Sequence, residues 1–514
     1  MKSDRLINSN PPFKIIEFPK NLPDFKGISY DSRNVLQDDL FIAVKGQLAN
    51  GHDYVLAAEE KGACAIVCET KNNKVKIPQI VVSDSRRALS FYSALFYNFP
   101  SSELNIIGVT GTNGKTSTCS LIADILTSQK RKTGIIGTIK IAYPLNDGSF
   151  YEKESSNTTP ESADLQKIIN DMKNNNVTDI VMEVSSHAIA LGRTADVSFS
   201  SIVYTNLTQD HLDFHNTMEE YAKVKSDFIK QKAALEKNKP FIALNIDDEI
   251  GNSISNYLKT NNFNKLIEYS TKQNAGLKAF DLKTDLNQSS GKLRFNEKEY
   301  FFESNLSGRH NVENILAAVS ACIFSDIRIE DCIKALKTSK PVRGRLEQVK
   351  NDKRPYIFID YAHTPDALDN VLKALRPLCK NKLICVFGCG GDRDRKKRPL
   401  MAEISAKNAD ITIITSDNPR TENEDEIIDD IENGLKNILP KKDFAETANT
   451  DKNFYLIEKN RKKAIEKALL ISNPDDCILI AGKGHETYQI IGTKKHHFDD
   501  REEVLEKVSK IYGR

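Results

Sequence analysis

The sequence predicts a multidomain α/β protein, and three observations support that fold class. The chain has 514 residues, which at about 150 residues per domain suggests about three domains. Two regions, 104–250 and 340–482, alternate apolar runs with helical stretches, the pattern of parallel sheets covered by helices on both faces. A glycine-rich turn joins one predicted strand to the helix that follows it. We expect domains over residues 1–102, 103–338 and 339–514.

The N-terminal region mixes short strands and helices. The runs FIAVKG (41–46) and CAIVC (64–68) are typical of strands, and YVLAAEEKG (54–62) between them is typical of a helix. The segment FPSSE (99–103) has the Pro/Ser composition of a linker. The first domain is therefore expected to end near residue 102.

The central region predicts a parallel sheet with a small addition. A helix is expected from about Lys115, after the glycine-rich turn, and another over NVENILAAVSACIF (311–324). Between residues 265 and 306 the apolar runs become short, partly alternating and separated by polar turns, which predicts a small antiparallel addition. The predicted parallel strands are LNIIGV (104–109), DIVMEV (179–184), SIVYTN (201–206) and FIALNI (241–246).

The C-terminal region predicts a second parallel sheet. Its helical stretches, 365–378 and 424–439, connect buried apolar runs in a Rossmann-like pattern that lacks the GxGxxG fingerprint. The predicted strands are PYIFID (355–360), KLICVFG (382–388), DITIITS (410–416) and CILIAG (477–482).

Composition and charge exclude several classes of protein. Lys and Arg number 73 and Asp and Glu 71, a formal net charge of +2, which argues against a nucleic-acid or anionic-membrane binder. No apolar run approaches the roughly 18 residues of a membrane span, and the N-terminus has no secretory apolar segment. The nine cysteines lack a metal-ligand spacing and are expected to be reduced and mostly buried. We expect a cytoplasmic, monomeric protein without membrane insertion.

The stretch GVTGTNGKTS (108–117) is typical of a phosphate-binding loop. Gly111 and Gly114 allow the backbone to curl so that its N–H groups point at phosphate oxygens. Lys115 supplies a positive charge, and the Thr116 hydroxyl is suited to ligate Mg²⁺. Val109 stands where the strict pattern GxxxxGK[ST] has glycine. We expect nucleotide binding, although kinases, ATPases, GTPases and ligases all use such a loop.

Two motifs place metal-ligating side chains near this loop. Glu183 ends the predicted strand DIVMEV, and His211 lies in DHLDFH (210–215), which follows SIVYTN. A carboxylate and an imidazole at strand ends beside a phosphate loop suit Mg²⁺ ligation.

Taken in order along the chain, these motifs and three others resemble those of the Mur ligase family, the ATP-dependent amide-bond-forming enzymes of peptidoglycan synthesis. The resemblance covers nearly the whole chain. The motifs are GTNGKTS (111–117), EVSSH (183–187), DHLDFH (210–215), GRHNVEN (308–314), DYAHTPD (360–366) and GCGGDRDRKKRP (388–399).

The resemblance implies a UDP-binding domain, a central ATPase domain and a C-terminal domain that receives an amino acid, with ATP and Mg²⁺ as cofactors. It is strongest to the members that act on UDP-N-acetylmuramoyl-L-alanyl-D-glutamate. In these enzymes the substrate carboxylate attacks the γ-phosphate of ATP, and an amine then displaces phosphate from the acyl phosphate. Such chemistry needs cations and oriented N–H donors more than a strong base.

The resemblance also implies roles for residues around the nucleotide. Asn311 and Asp360 match contacts to adenine and ribose, Arg345 matches a contact from the C-terminal domain to the phosphates, and Lys225 matches a lysine that becomes carbamylated, with Lys223 as the nearby alternative. The implied catalytic residues are Lys115, Glu183, His211 and Lys225, and the implied metal ligands are Thr116, Glu183, His211 and Lys225 as its carbamate. The implied ATP-binding residues are Gly111, Thr112, Asn113, Gly114, Lys115, Thr116, Ser117, Asn311, Arg345 and Asp360.

A second implied set binds the UDP-muramyl dipeptide. YDSRNV (30–35) and KGQLANGHDY (45–54) match the uridine-diphosphate contacts, and SNTTPES (156–162) matches a loop that holds the peptide. Leu191 stands where the family often has Gln, and leucine has no side-chain hydrogen bond to offer. The implied residues are Ser32, Gln47, Leu48, Ala49, Asn157, Thr158, Thr159, Ser185 and Arg193.

The motif DNPR (417–420) decides the expected amino acid. In this family DNPR accompanies meso-2,6-diaminopimelate, and members that add L-lysine usually lack its arginine. Because diaminopimelate carries a second carboxylate, a guanidinium can grip it bidentately, and Glu486 is expected to bind the distal ammonium. The implied residues are Arg393, Asp417, Asn418, Pro419, Arg420, Gly482 and Glu486.

Three alternatives remain open at this point. The same ligase could add L-lysine. Folylpolyglutamate synthetase shares the phosphate loop, but the UDP-type N-terminal motifs and DNPR argue against it. A P-loop ATPase or binding protein without ligase activity would not need the amino-acid-binding motifs.

We predict that Arg420→Ala lowers kcat/KM for meso-diaminopimelate strongly. Loss of the contact between the guanidinium and the distal carboxylate should cost about 2–5 kcal/mol. ATP binding should stay nearly intact, since the substitution removes only the partner of the distal carboxylate. Steady-state kinetics with both substrates check this, and unchanged kinetics with diaminopimelate would contradict the assignment.

Overall fold

Three helix-covered sheets follow one another along the chain in a computed structural model, which confirms the predicted α/β class. The structure describes residues 1–46, 49–210, 212–235, 237–350, 355–449 and 452–513. The strands of the three sheets lie within residues 15–82, 105–304 and 347–481. The domain boundaries at 102/103 and 338/339 stay predictions.

The N-terminal sheet has the strand order β1-β5-β4-β3-β2, with β1 antiparallel to β5 and the other neighbours parallel. Its strands are β1 (Ile15–Glu17), β2 (Gly27–Ser29), β3 (Asp39–Ile42), β4 (Ala65–Cys68) and β5 (Gln79–Val82). Its helices are α1 (Ser3–Ile7), α2 (Val55–Glu60) and α3 (Ser85–Phe96).

The central sheet has eleven strands in the order β16-β15-β14-β13-β12-β11-β6-β10-β7-β8-β9. Its strands are β6 (Asn105–Thr110), β7 (Thr133–Ile136), β8 (Lys140–Pro144), β9 (Phe150–Glu154), β10 (Asp179–Glu183), β11 (Ser201–Tyr204), β12 (Phe241–Asn245), β13 (Leu266–Ser270), β14 (Leu277–Thr284), β15 (Ser289–Phe295) and β16 (Lys298–Ser304). Its helices are α4 (Lys115–Ser128), α5 (Ser162–Asn174), α6 (Ser186–Ala190), α7 (Leu212–His215), α8 (Met218–Ala233), α9 (Glu249–Thr260), α10 (Arg309–Ile323) and α11 (Ile329–Leu336).

The predicted antiparallel addition over residues 265–306 is only partly correct. Strands β14, β15 and β16 pair antiparallel, as expected. Strand β13, however, runs parallel to both β12 and β14 and belongs to the main sheet. Helix α9 connects β12 to β13, and a crossover of this kind returns the chain in the same direction. Only the short turns after β14 and β15 reverse it.

The C-terminal sheet has the order β17-β18-β22-β19-β20-β21, parallel except for β17. Its strands are β17 (Glu347–Gln348), β18 (Tyr356–Asp360), β19 (Leu383–Phe387), β20 (Ile411–Ile414), β21 (Phe454–Ile457) and β22 (Cys477–Ala481), and β23 (Tyr488–Ile491) and β24 (Lys494–His497) form a separate hairpin. Its helices are α12 (Pro365–Leu375), α13 (Lys397–Asn408), α14 (Glu424–Glu432), α15 (Arg461–Leu470) and α16 (Asp500–Tyr512).

The central sheet is buried on both faces because its parallel strands alternate between two apolar cores. Ile107 and Val203 point into the core under α4 and α10. Their neighbours Ile106 and Ile202 point into the core under α5, α8 and α9. A sheet covered on both faces exposes its strand ends, so polar residues that follow the strands collect at the carboxyl edge.

All nine cysteines are unpaired, Cys64 partly exposed and the other eight buried, as expected. Within the described ranges, none of the helices combines the length and apolar character that crossing a bilayer requires.

Candidate active site at the carboxyl edges of two sheets

The phosphate loop lies at the carboxyl end of β6, between the ends of β10 and β11. Helix α4 begins at Lys115, as predicted. Gly111 has a φ of +147° and Gly114 a φ of +84°. A Cβ at Gly111 would lie 1.9 Å from the Thr205 hydroxyl, and one at Gly114 would lie 2.3 Å from Asn314 Oδ1. Both glycines are therefore required by conformation and by close packing.

Lys115 lies across the mouth of the loop. Its Nζ donates to the carbonyl oxygens of Gly111 at 3.0 Å and Thr112 at 2.7 Å. Burial lowers the pKa of Lys115, an effect that the negative charge of Glu183 opposes. The Lys115 ammonium and the N-terminus of α4 are features that suit an anion.

Glu183 is buried beside the loop, with 1% of its surface exposed. Its Oε2 accepts hydrogen bonds from the hydroxyls of Thr116 and Thr138, both at 3.1 Å, and its Oε1 accepts from the Thr138 amide at 2.8 Å. Gly137 packs against this carboxylate, where a Cβ would lie 2.5 Å from Oε1. The structure thus brings Thr116 and Glu183 together, as the metal-site prediction requires, and adds Thr138.

Lys225 approaches the loop from α8 and is 1% exposed. Its Nζ donates to the Gly111 carbonyl at 3.1 Å and to the Thr110 hydroxyl at 3.3 Å. Burial and the nearby Lys115 hold the pKa of Lys225 well below its usual range. Lys223, the alternative, is exposed on the same helix.

His211 lies outside the described residues. Among the described residues, no group of three or more His, Cys, Asp or Glu side chains is placed to hold a metal. The paired oxygens of Thr116 and Glu183 are nevertheless the hard ligands that Mg²⁺ prefers, and Mg²⁺ commonly takes only one or two carboxylates beside substrate phosphates. The donor set therefore fits this ion.

The segment after β11 holds the loop from the other side. Asn206 Oδ1 accepts from the Asn113 amide at 2.9 Å, and Thr208 Oγ1 accepts from Asn113 Nδ2 at 3.0 Å. Thr208 Oγ1 in turn donates to Asp366 Oδ2 at 2.7 Å, which joins the central sheet to α12. The remaining loop residue of the prediction, Ser117, lies in the first turn of α4.

Three residues predicted to contact the rest of the nucleotide have defined surroundings. Asn311 lies at the start of α10, and its Oδ1 accepts from Asn314 Nδ2 at 3.1 Å. Asp360 accepts from the amides of Leu346 at 2.6 Å and Ala362 at 2.8 Å. Arg345 lies with its guanidinium carbon 5.0 Å from the centre of the Tyr361 ring. The Asp360 carboxylate therefore holds the segment that carries Arg345, and its contact to ribose stays a prediction.

The predicted dipeptide-binding residues gather beside Glu183. Thr159 Oγ1 donates to the Glu183 carbonyl at 2.8 Å and accepts from the Ser185 amide at 3.1 Å. Arg193 donates to the Thr159 carbonyl at 3.0 Å and pairs with Glu161 at 3.2 Å. Thr158 lies 3.0 Å from the Thr138 hydroxyl, Asn157 is exposed, and Leu191 follows the last turn of α6.

The predicted UDP contacts lie in the N-terminal unit. Ser32 begins a short 3₁₀ helix, and the Ala49 carbonyl accepts from the Gly46 amide at 2.8 Å. Gln47 and Leu48 lie outside the described residues. Tyr30 joins this region to the central unit through a 2.6 Å hydrogen bond to Asp164.

The predicted amino-acid-binding residues meet at the carboxyl edge of the C-terminal sheet, beyond β20 and β22. Asn418 Nδ2 donates to Glu486 Oε2 at 2.9 Å. Arg420, in a left-handed conformation with φ +53°, donates to the Gly391 carbonyl at 2.7 Å. Arg393, which is exposed, and Arg420, which is half-buried, both lie beside Gly390. Asp417 and Gly482 are neighbours: a Cβ at Gly482 would lie 3.8 Å from Asp417 Oδ2. Pro419 completes the turn.

We predict that Gly111→Ala weakens MgATP binding at least about tenfold, because the new Cβ would displace the loop from Thr205. Gly148→Ala is the matched control: it also has a positive φ, of +86°, but nothing lies within 4 Å of its Cβ. Titration calorimetry with MgATP distinguishes the two. Equal affinities for both variants would show that the close packing is not needed for binding.

Comparison with known proteins agrees with this architecture. The Mur ligase family catalytic domain matches residues 24–97, the Mur ligase middle domain residues 109–322 and the Mur ligase glutamate ligase domain residues 344–484. The chain is 42% identical over 492 residues to UDP-N-acetylmuramoyl-L-alanyl-D-glutamate--2,6-diaminopimelate ligase 1 of Clostridium acetobutylicum, covering 95% of this chain and 96% of the relative. It is 43% identical over 491 residues to the ligase of that name from Clostridioides difficile, with the same coverage.

A solved structure described as a UDP-N-acetylmuramoyl-L-alanyl-D-glutamate--2,6-diaminopimelate ligase is 31% identical to the chain. It superposes with a TM-score of 0.68 and covers 97% of this chain and 98% of its own. Similarity of this extent spans all three sheets and both strand-end sites, which are the phosphate-loop site of the central sheet and the DNPR site of the C-terminal sheet. The chain belongs to the Mur ligase family.

Proposed function

We propose that this chain is an ATP-dependent ligase that joins meso-2,6-diaminopimelate to UDP-N-acetylmuramoyl-L-alanyl-D-glutamate during the cytoplasmic synthesis of peptidoglycan precursors. The proposal rests on the presence of two sites in one chain: a phosphate loop at the carboxyl edge of the central sheet and the DNPR motif at that of the C-terminal sheet. The chain is also about 40% identical to ligases named for this reaction.

The first step is phosphoryl transfer. A carboxylate oxygen of the D-glutamate attacks the γ-phosphorus of ATP, the bond to the β,γ-bridging oxygen breaks, and ADP leaves. Lys115 and the first amides of α4 would supply positive charge to the phosphate oxygens, and Arg345 would add a cation from the C-terminal unit.

The second step forms the amide. The neutral amine nitrogen of diaminopimelate attacks the acyl carbon, phosphate leaves with its bonding electrons, and the nitrogen loses a proton. Thr159 contacts Glu183 directly, and Ser185 and Arg193 contact Thr159. Thr158 contacts Thr138, which is itself bonded to Glu183. They would bind the dipeptide with its carboxylate towards the phosphate loop.

Mg²⁺ would be held by Thr116, Glu183, His211 and the carbamate of Lys225. When bound, it neutralises charge on the phosphate oxygens. The surroundings of Lys225 favour the carbamate, because a buried amine with a depressed pKa is available in the neutral form that attacks CO₂. The neutral amine nitrogen bonds to the carbon of CO₂, one N–H proton leaves, and the side chain becomes an anion beside the metal site.

Recognition of diaminopimelate over L-lysine is assigned to Arg420 and Arg393. Near Gly390 lie the Arg420 guanidinium and the Arg393 side-chain stem, so both arginines are close enough to this turn to be candidates for binding a distal carboxylate. L-lysine has no such carboxylate and would leave both arginines without a ligand anion.

The decisive experiment measures phosphate release with meso-diaminopimelate and L-lysine in parallel and confirms the product by mass. We expect release only when the UDP-muramyl dipeptide and meso-diaminopimelate are both present. Activity with L-lysine instead would favour the lysine-adding enzyme. Release without either acceptor would favour a simple ATPase.

A second prediction concerns the carbamate. With ¹³C-bicarbonate, the wild-type chain should show a carbamate carbonyl resonance that Lys225→Met lacks, and ligase activity should fall at least about a hundredfold because a metal ligand is lost. Lys223 lies on the exposed side of the same helix, so Lys223→Met should keep both the carbamate resonance and the ligase activity. A resonance that survives in Lys225→Met would place the carbamate elsewhere.

A further inference from the structure

Lys483 occupies the centre of the amino-acid site, although nothing in the sequence motifs assigned it a role. It follows β22 in the segment GKGHE and has no exposed surface. Its Nζ donates to the Tyr488 carbonyl at 2.7 Å and to Asn418 Oδ1 at 3.1 Å. Two carboxylates also lie close to it, Asp417 Oδ1 at 3.2 Å and Glu486 Oε2 at 3.4 Å.

These contacts determine the orientation of the Asn418 amide. Its Oδ1 accepts from both Lys483 and the Ile490 amide, the latter at 2.9 Å. Its Nδ2 therefore faces Glu486 Oε2, to which it donates at 2.9 Å. If the amide were flipped, its NH₂ group would face the two donors, Lys483 and the Ile490 amide. Its oxygen would then face the Glu486 carboxylate, which cannot donate. Lys483 thus acts on Glu486 directly and through Asn418.

The two oxygens of the Glu486 carboxylate therefore differ in their contacts. Oε2 is occupied by Asn418 and Lys483. Oε1 makes no hydrogen bond within the described part of the chain. Burial and the charge of Asp417 raise the pKa of Glu486, and Lys483 opposes both effects. Two other buried cations of the C-terminal unit are already paired: Arg461 with Asp500 at 2.7 Å and Arg398 with Glu422 at 2.9 Å. Lys483 is therefore the cation in direct contact with Glu486.

We propose that Lys483 is a positioning residue of the amino-acid site, which fixes Asn418 and Glu486 so that Glu486 Oε1 receives the distal ammonium of a diamino acid. The inference rests on the proposed function, because it takes the site to bind diaminopimelate. Lys483 is not required to contact the substrate. Lys483 instead affects how strongly the site prefers an amino acid that carries a distal ammonium over one that lacks it.

The test compares meso-diaminopimelate with 2-aminopimelate, which lacks the distal amino group. Lys483→Met should raise KM for diaminopimelate about 10- to 100-fold, the loss expected when a hydrogen-bonded charge is removed, and leave KM for ATP within about twofold. The ratio of kcat/KM for diaminopimelate to kcat/KM for 2-aminopimelate should fall by a similar factor. If Lys483→Met does not fold, Lys483→Gln, which keeps a donor for the Tyr488 carbonyl, is measured instead.

Lys382→Met is the matched control. Lys382 is also buried, lies 3.7 Å from Asp476 and donates to the Ile471 carbonyl at 3.4 Å, but it is at the opposite edge of the same sheet. Its loss should lower the melting temperature and leave the amino-acid ratio unchanged.

A double-mutant cycle separates positioning from packing. Glu486→Gln should reduce the same ratio, and Lys483→Met added to Glu486→Gln should reduce it little further, since both act through one carboxylate. An unchanged ratio in Lys483→Met, or fully additive losses in the double variant, would overturn the inference. A wild-type chain that does not use diaminopimelate at all would instead contradict the proposed function.

Discussion

The packing of Gly111 against the Thr205 hydroxyl is the contact on which the central site depends. It fits the phosphate loop between the ends of β10 and β11, with no space for a Cβ. From this position the loop carbonyls reach Lys115 and Lys225, and Thr116 reaches Glu183. The seven parallel strands that support it hold these groups at one edge because parallel strands share the direction of their carboxyl ends.

Charge is concentrated where the anionic ligands would bind. The chain as a whole is nearly neutral, with a formal net charge of +2, yet Lys225 and Lys483 are almost fully buried at the two strand-end sites. Burying a cation costs free energy unless carbonyls, carboxylates or ligand anions surround it. Each of these lysines has such partners within the protein, which offset the cost of its burial.

The three sheets have largely separate apolar cores. Several contacts that join them are polar: Tyr30 with Asp164, the ion pair of Arg87 with Asp196, and Thr208 with Asp366. Polar interfaces of this kind allow neighbouring units to move relative to one another. The Thr208 contact links the segment that holds the phosphate loop to the first turn of α12.

The sequence by itself determined the α/β class, the strand–loop–helix around Lys115 and the location of both strand-end sites. These follow from local periodicity and short motifs, which depend on neighbouring residues. Only the tertiary structure decided that the side chains of Thr138, Asn206, Asn314 and Lys483 complete the sites, since their partners lie far away in the chain. It also decided the direction of β13, which α9 imposes, and the use of the Asp360 carboxylate by backbone amides. Periodicity specifies which side chains are buried, but a partner distant in the chain is chosen by the packing of whole elements.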